Sequence, residues 1–232
     1  MILCKTKYKS LLPFCADIKL MVICCYTEIK HQWSEQELAD KLAVLPSNLQ
    51  QQALRKRQWI DRQFAVAGKL LLLSLLKEFK SNLTLPDLKY NTYHRPYLNT
   101  EFDFNIAHSG NMVICCGSDT GQIGIDIEQI KEIELDDYLN YFTKHEWTII
   151  DHYTYTNRFD GFYNFWTRKE AVLKAIGSGF HTPLSSVDVS DESLTYDDIT
   201  YHIQSIEINP EYKCHIATTQ ISPGIRLINI NL

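Results

Sequence analysis

Ile123-Gly124-Ile125-Asp126-Ile127-Glu128 is a stretch in which apolar residues alternate with acidic ones. Successive side chains of a β-strand point to opposite faces, so the three isoleucines would share one face and Asp126 and Glu128 the other. Carboxylates are depleted in strands, and like charges on one face repel each other. The stretch therefore predicts a strand with an acidic face, and something positive should lie between its two carboxylates.

A third carboxylate stands in a helical stretch further along the chain, Trp166-Thr167-Arg168-Lys169-Glu170-Ala171-Val172-Leu173-Lys174. Glu170 and Lys174 are four residues apart and so share one face of the helix. A surface ion pair would account for these two residues, and an ordinary acidic strand face would account for the first two carboxylates. Taken together, three hard oxygen ligands favour a divalent cation, magnesium rather than zinc or copper.

The bulk composition is that of a soluble globular protein. The chain has 232 residues, of which 45% are hydrophobic and 22% charged, enough for one large domain or two of about 100 residues each. Its net charge of −5 argues against a general nucleic-acid binder, because no positive field would attract phosphate backbones. No segment has the ~20 consecutive apolar residues that cross a bilayer.

The seven cysteines follow no metal-binding spacing, and their odd number suits reduced, buried thiols in a cytoplasm better than disulfides. Near the N-terminus, Pro13, Asp17 and Lys19 interrupt the apolar residues, so no signal peptide is predicted. Residues 1–20 are interpreted as a loosely ordered extension before the first strand.

Apolar periodicity and capping signals predict two α+β halves, residues 1–121 and 122–232. Helices are predicted in 34–44, 49–59, 61–79, 135–151 and 162–176. Strands are predicted in 22–27, 102–106, 112–117, 122–128, 185–190, 199–208, 212–219 and 225–230. Gly177-Ser178-Gly179, after the last helix, predicts a left-handed helix cap.

Four motifs in the same order resemble those of the 4'-phosphopantetheinyl transferases. They are Arg95-Pro96-Tyr97-Leu98, Phe104-Asn105-Ile106-Ala107-His108-Ser109-Gly110, the acidic strand, and the stretch from Trp166 to Gly179. The length is similar to that of the larger Sfp type. The resemblance implies a pseudo-dimer of two similar α+β halves, each with a small antiparallel sheet packed against helices.

The resemblance also implies a reaction. It predicts magnesium-dependent transfer of 4'-phosphopantetheine from coenzyme A to a serine of an acyl or peptidyl carrier protein, with release of 3',5'-ADP. Asp126, Glu128 and Glu170 would hold Mg2+, with Mn2+ as a substitute, and the metal would neutralise the diphosphate. The enzyme would be a cytoplasmic monomer in fatty acid, polyketide or nonribosomal peptide biosynthesis, with no nucleic acid or membrane partner.

Further residues are assigned to coenzyme A by the same resemblance. Lys174 and His108 would contact phosphates, Lys169 would assist, and Arg95 would position the adenine nucleotide. Alternatively, His108 is a hydrogen-bonded histidine in a loop, and Arg95 is a solvated arginine in a loop. Ala107 replaces a serine that many members carry, and the missing hydroxyl predicts weaker coenzyme A binding.

Residues 51–70 hold five basic side chains against one acidic one. Arg55, Arg57 and Arg62 are therefore candidates for binding the 3'-phosphate, since arginine suits bidentate contacts to phosphate. A solvated helix face explains the same pattern, and both interpretations stay open.

The proton acceptor for the serine hydroxyl is left open between Glu146, Glu170 and a metal-bound water. A carboxylate bound to metal is the weaker base, which favours Glu146 or the water. An exposed helix glutamate is the alternative interpretation of Glu146. The aromatic but acidic segment 129–164 predicts a carrier-docking surface that is hydrophobic rather than electrostatic.

Two other classes of function are considered. A non-catalytic module that binds coenzyme A or a carrier protein would share the fold, but the acidic trio and Lys174 are all present. A nuclease with carboxylate-bound metal would use a basic groove lined by aromatic residues, and the acidic composition disfavours it.

Overall fold

The computed structural model describes residues 21–98, 102–153, 157–178 and 182–232. The predicted extension at residues 1–20 and Gly179 of the helix exit lie outside these ranges. Among the described helices, none is long and apolar enough to cross a membrane.

The first lobe is a four-stranded sheet with three helices. Its helices are α1 (Glu35–Ala43), α2 (Ser47–Leu54) and α3 (Trp59–Glu78). Its strands are β1 (Met21–Glu28), β4 (Asp103–Ser109), β5 (Met112–Ser118) and β10 (Gly224–Asn229), in the order β10-β1-β5-β4. A separate two-stranded ribbon pairs β2 (Lys89–Tyr90) with β3 (Pro96–Tyr97). The long helix α3 packs against the sheet through an apolar core that includes Leu71, Leu72 and Leu75.

The second lobe repeats this arrangement with the strand order β6-β9-β8-β7, all antiparallel. Its strands are β6 (Ile123–Gln129), β7 (Ser193–Tyr196), β8 (Ile199–Ser205) and β9 (Tyr212–Thr218), and its helices are α4 (Lys144–Asp151) and α5 (Arg158–Ile176). Helix α5 packs on β6 and β9. Two α+β lobes, each with one long helix against a small sheet, confirm the predicted fold class.

Local signals explain where the elements differ from prediction. The helix predicted over 135–151 is two pieces, a 3-10 turn at Leu135–Tyr141 and α4, because Thr143 and Glu146 form a capping box that starts a new helix. The predicted strand at 185–190 is instead a short 3-10 turn, Leu184–Ser186, followed by irregular chain. Strand β7, which follows it, was not predicted. The left-handed cap at Gly177 is confirmed by its φ of 75°.

The two sheets share an apolar layer. One face of β6 contributes Ile123, Ile125 and Ile127, all fully buried, and this layer also contains Val22 and Ile114 of the first lobe. The predicted orientation of the three isoleucines is therefore confirmed. Each lobe also has an apolar core of its own, and this shared layer packs the two lobes against each other.

Strand β10 departs from the predicted division at residue 121. It returns from the second lobe and pairs in parallel with β1, with Gly224 opposite Met21. The apolar residues at its end, Ile228, Ile230 and Leu232, pack on the core of the first lobe. The first lobe therefore includes chain from both sides of the predicted boundary.

Side chains of β4 join the two sheets at a seam along β6. Asp103 Oδ2 accepts a hydrogen bond from Ile123 N at 2.8 Å, and Asn105 Oδ1 accepts one from Ile125 N at 3.1 Å. Ser109 Oγ, further along the same strand, accepts one from Gln129 N at 3.2 Å. These contacts fix β6, and hence its acidic face, relative to the first lobe.

The described cysteines are free and buried, as the composition predicts. Cys24 lies opposite Cys116 and Cys25 opposite Cys115 on adjacent strands. Burial raises the pKa of Cys25 to about 11, so its thiol stays protonated and unreactive at neutral pH.

Candidate active site

Gly124 lets α5 lie directly on β6. A Cβ atom at this position would stand 2.1 Å from Ala171 O and 2.4 Å from Ala175 N, both backbone atoms of the helix. Only glycine allows so close an approach of strand and helix. The contact brings Glu170 and Lys174 of α5 over the acidic face of β6.

The site consists of three carboxylates and one ammonium. Asp126 is 4% exposed, and its Oδ1 accepts a hydrogen bond from Lys174 Nζ at 2.5 Å. Its Oδ2 is buried with no hydrogen-bond partner among the described residues. Glu128 accepts a hydrogen bond from Ser109 Oγ at 2.5 Å, so the seam residue also orients this carboxylate.

Each carboxylate has a raised pKa, and the main cause is burial. The pKa of Glu128 rises to about 7, through burial and then the negative charges of Asp126 and Glu170. The pKa values of Asp126 and Glu170 are also raised, in Glu170 by burial and then by the charge of Asp126. One lysine therefore does not compensate the negative charge gathered here.

The donor set fits a hard divalent cation. Asp126 Oδ2 is a buried acceptor without a partner, and carboxylate oxygens are the ligands that magnesium prefers. Within the part of the chain that the structure describes, however, no three His, Cys, Asp or Glu side chains are grouped so that they could hold a metal ion. Asp126, Glu128 and Glu170 are thus near one another, but their oxygens are not arranged to coordinate one metal ion. The cation that contacts Asp126 is the ammonium of Lys174.

A cavity of about 230 Å³ opens beside these residues at the junction of the lobes. Its lining residues are Tyr93, His94, Arg95, Pro96, Asn105, Glu170, Leu173, Lys174, Gly177 and Leu184. The volume is below the ~300–1,000 Å³ of complete ligand sites, so the cavity suits one portion of a nucleotide. The remainder of such a ligand would lie on the open surface next to Lys174.

His108 lies on the exposed face of β4 and stacks on Phe64, with 4.5 Å between ring centroids. Partial burial lowers its pKa, and the positive charges of Lys174 and Lys56 lower it further. The ring is therefore neutral at pH 7 and offers one N–H donor. Lys174 and Lys56 supply the positive charge near this neutral ring.

The other basic candidates of the 51–70 stretch have separate roles. Arg62 binds the loop between α2 and α3, since its Nε donates to Lys56 O at 2.8 Å and its Nη2 to Arg57 O at 3.4 Å. Arg55 and Arg57 are exposed on that loop. Arg62 thus shapes the loop, while a role of Arg55 and Arg57 in phosphate binding stays a prediction.

Arg95 lines the cavity, but its guanidinium is occupied by protein groups. It forms a bidentate ion pair with Asp103, with distances of 2.8 and 2.9 Å. It also donates to the backbone oxygens of Lys174 and Ile123, both at 3.0 Å. The predicted contact to the nucleotide is therefore replaced by a clamp that joins β4, β6 and the last turn of α5.

Glu146 and Lys169 form a buried ion pair away from the carboxylates. Their side chains are fully buried, and Lys169 Nζ lies 2.8 Å from Glu146 Oε2. Glu146 also accepts hydrogen bonds from Thr143 N at 2.7 Å and Val189 N at 2.9 Å. A glutamate so enclosed cannot take a proton from a bound hydroxyl, and Lys169 cannot reach a phosphate. We therefore correct both predictions: the pair is structural.

Ala107 also faces away from the site. Its side chain is 4% exposed and belongs to the apolar layer between the sheets, whereas His108 points to the opposite face of β4. A hydroxyl at position 107 would meet this layer and not a phosphate. The predicted loss of coenzyme A affinity through Ala107 does not follow from this geometry.

Sequence patterns do not indicate that Gly124 contacts the α5 backbone or that Asn105 holds β6 in place. They also do not indicate that Tyr93 and His94 line the cavity. Gly124 was visible only as part of a motif, and nothing in the sequence shows that a helix backbone lies above it. His94 has a φ of 62°, a left-handed conformation that a turn from Asn91 imposes. No signal in the sequence could have located that turn at the cavity.

The raised pKa of Glu128 predicts a pH-dependent effect on stability. Between its ordinary pKa of 4.5 and about 7, the folded protein holds a proton that the unfolded chain has lost, so this group lowers stability as pH rises. We expect the stability gained by Glu128→Gln over the parent to grow from pH 5 to pH 7 and to level off by pH 8. Urea unfolding at each pH measures it.

The exposed Glu132 provides the matched control, because Glu132→Gln makes the same change of side chain at the surface, outside the three carboxylates of the site. A Glu128→Gln difference that is constant across this range would contradict the prediction.

The sequence is similar to those of several known proteins. A profile described as the 4'-phosphopantetheinyl transferase superfamily matches residues 122–221. The 4'-phosphopantetheinyl transferase Sfp of Bacillus subtilis is 32% identical over 172 residues, which cover 72% of the chain and 73% of that protein. The transferase gsp of Aneurinibacillus migulanus is 31% identical over 130 residues, 54% of the chain and about half (53%) of that protein. An L-aminoadipate-semialdehyde dehydrogenase-phosphopantetheinyl transferase of Schizosaccharomyces pombe is 32% identical over 152 residues, 53% of the chain and 58% of that protein.

Proposed function

The chain belongs to the 4'-phosphopantetheinyl transferase superfamily, in its larger Sfp type, and we propose that it moves 4'-phosphopantetheine from coenzyme A to a serine of an acyl or peptidyl carrier protein. The products are the holo-carrier and 3',5'-ADP. The convergence of Asp126, Glu128, Glu170 and Lys174 beside a cavity between the lobes carries this proposal.

Lys174, His108 and Lys56 would bind and orient the nucleotide. Lys174 pairs with the diphosphate, and the neutral His108 donates an N–H to a phosphate next to it. Lys56 would contact the 3'-phosphate. Arg95 orients the last turn of α5 through Lys174 O, and so keeps the lysine beside the cavity.

Asp126, Glu128 and Glu170 are the residues that would hold a Mg2+ ion, or Mn2+ in its place. When bound, such an ion polarises the phosphoryl oxygen and neutralises charge on the leaving nucleotide. With Glu146 enclosed in the core, Glu170 or a water molecule is left to accept the proton of the carrier serine. The half-buried Glu170 lies at the cavity itself.

The carrier protein would dock on an apolar patch next to α5, formed by Leu139, Tyr141 and Trp166. Leu139 is 41% and Tyr141 43% exposed, while the nearby Phe142 and Phe162 are buried core residues. The Tyr141 ring lies 5.8 Å from that of Trp166, which precedes Glu170 by one helical turn. A carrier helix on this patch would bring its serine toward the carboxylates.

We expect Leu139→Asp to raise the KM for the carrier protein about tenfold, because it places a charge in an apolar interface, and to leave the KM for coenzyme A unchanged. Steady-state transfer assays with each substrate varied in turn measure both constants. The control is Val44→Asp, since Val44 is 58% exposed at the end of α1. Equal effects of the two substitutions on carrier KM would exclude this docking surface.

The proposed reaction is tested by incubating the purified protein with coenzyme A, Mg2+ and apo carrier proteins of the fatty acid, polyketide and nonribosomal peptide types. Intact mass should show one phosphopantetheine added to the carrier. The gain should be lost with EDTA or with Glu170→Ala. If every carrier stays unmodified while coenzyme A still binds, the chain is a binding module and not a transferase.

The setting that we propose is cytoplasmic, because the buried cysteines are free thiols. We also propose a monomer, because one chain supplies both lobes and the junction between them. Size-exclusion chromatography with light scattering measures the second property.

A further inference from the structure

The ammonium of Lys174 occupies the place where the carboxylates converge. Its Nζ lies 2.5 Å from Asp126 Oδ1, and the Lys174 side chain is 29% exposed while that of Asp126 is 6% exposed. The lysine therefore reaches from the surface into the acidic site. Its exposed side leaves it free to move toward solvent, since lysine has a flexible four-carbon stem.

The ion pair with Asp126 shows how the site retains a cation. Asp126 is almost wholly buried, and its Oδ1 accepts a hydrogen bond from the ammonium of Lys174. Removing this ammonium would leave the negative charge of Asp126 without a counter-ion in a partly buried site, which is strongly unfavourable.

We propose that Lys174 is the resident counter-ion of the nucleotide-free protein, and that a divalent cation and a diphosphate replace it together. This inference rests on the proposed function and concerns the order in which its ligands bind. While the ammonium of Lys174 stays on Asp126, it neutralises this carboxylate and repels an approaching metal ion, so the metal ion binds weakly. When a diphosphate is present, the ammonium moves onto it and frees Asp126 for the metal.

The structure supports this exchange in two ways. Asp126 Oδ2 is buried and unpartnered among the described residues, so one oxygen is already available to a second cation. Among the described residues no three His, Cys, Asp or Glu side chains are grouped so that they could hold a metal ion, and the cation that contacts Asp126 is the ammonium of Lys174. In this exchange the divalent ion takes the place of the ammonium at Asp126, and the ammonium pairs with the diphosphate. Each negative group therefore keeps a positive partner throughout.

The exchange predicts that loss of the ammonium tightens metal binding in the absence of nucleotide. We expect Lys174→Gln to bind Mn2+ at least about tenfold more tightly than the parent when coenzyme A is absent. Coenzyme A should tighten Mn2+ binding to the parent, and much less to the variant. Electron paramagnetic resonance of free Mn2+ measures binding without any turnover, after correction for Mn2+ held by coenzyme A in solution.

Arg226→Gln is the matched control, because Arg226 is also ion-paired, 2.9 Å from Glu78, but lies on β10, at the edge of the first sheet opposite to β4 and the site. It should bind Mn2+ like the parent. Adding Asp126→Asn to Lys174→Gln should abolish the gain, and circular dichroism verifies that each variant is folded. If Lys174→Gln misfolds, Lys174→Met is measured in its place.

Unchanged or weaker Mn2+ binding by a folded Lys174 variant would overturn the exchange. The carrier assay separates this outcome from the proposed function. If the parent protein modifies a carrier but its Lys174 variants gain no Mn2+ affinity, only the exchange is refuted. If the variants gain Mn2+ affinity but the parent modifies no carrier, only the transferase assignment is refuted.

Discussion

Gly124→Ala should lower the rate of phosphopantetheine transfer about 100-fold or more, because the new methyl group would stand 2.1 Å from Ala171 O. Backbone atoms of α5 cannot rotate aside as a side chain can, so the helix must shift by about 1 Å. A misplacement of about 1 Å in an active site lowers the rate about 100-fold. Glu170 and Lys174 would move with it, away from Asp126. We also expect a stability loss of about 1–3 kcal/mol from overpacking.

The control for this substitution is Gly68→Ala. Gly68 lies in α3 of the first lobe, where a methyl group would meet only side-chain atoms of Ile106, Cγ2 at 3.1 Å and Cδ1 at 3.6 Å. Alanine also has the higher helix propensity, which offsets this contact, so the variant should stay within about 1 kcal/mol of the parent's stability and be fully active. A Gly124→Ala protein with normal activity would show that the close contact does not position the site.

Breaking the buried pair of Glu146 and Lys169 should cost about 3–5 kcal/mol of stability, because each single substitution leaves the partner charge buried alone. We expect this loss for Glu146→Gln and for Lys169→Met. The double variant should lose less than the sum of the two, since no charge is then left unpaired. Urea unfolding of the four proteins gives the coupling energy.

The same variants test whether Glu146 takes part in the chemistry. Loss of a general base lowers the rate about 10²–10⁴-fold. We expect Glu146→Gln, assayed at a temperature where it is folded, to stay within a few-fold of the parent. Asp151→Asn is the stability control, because the Asp151 pair with Arg158 is partly exposed and such pairs contribute at most about 1 kcal/mol.

The acidic face of β6 shows what the sequence can predict. Strict alternation fixes which residues share a face, so the buried isoleucines and the carboxylate face both follow from the pattern. The spacing of Glu170 and Lys174 likewise places them on one side of a helix. Periodicity works here because each element has one apolar and one functional face.

Lys169 and Arg95 show where this reasoning fails. Lys169 is adjacent to Glu170, but one residue along a helix turns the side chain by about 100°, into the core. Arg95 belongs to a motif near the cavity, and its partners come from three segments far apart in sequence. A charged side chain looks alike in a sequence whether it binds a ligand or another part of the protein.

The departure at β10 has a similar cause. The alternation of apolar and polar residues in β10 predicts a strand, but it does not predict the strand with which β10 pairs. Its position in the sequence, after β9, favours a place in the second lobe. The pairing with β1 depends on long-range packing of Ile228 and Ile230 against the first core. Local patterns carry no information about such a partner.

Strand β10 has a consequence for how the protein forms on the ribosome. The first sheet keeps an open edge at β1 until residues 224–229 have been synthesised, although its other strands leave the exit tunnel much earlier. An unpaired strand edge invites pairing with other chains. During translation the nascent protein is therefore vulnerable to aggregation at β1 until late in synthesis, and a ribosome that stalls before residue 224 would release a chain that cannot close this edge.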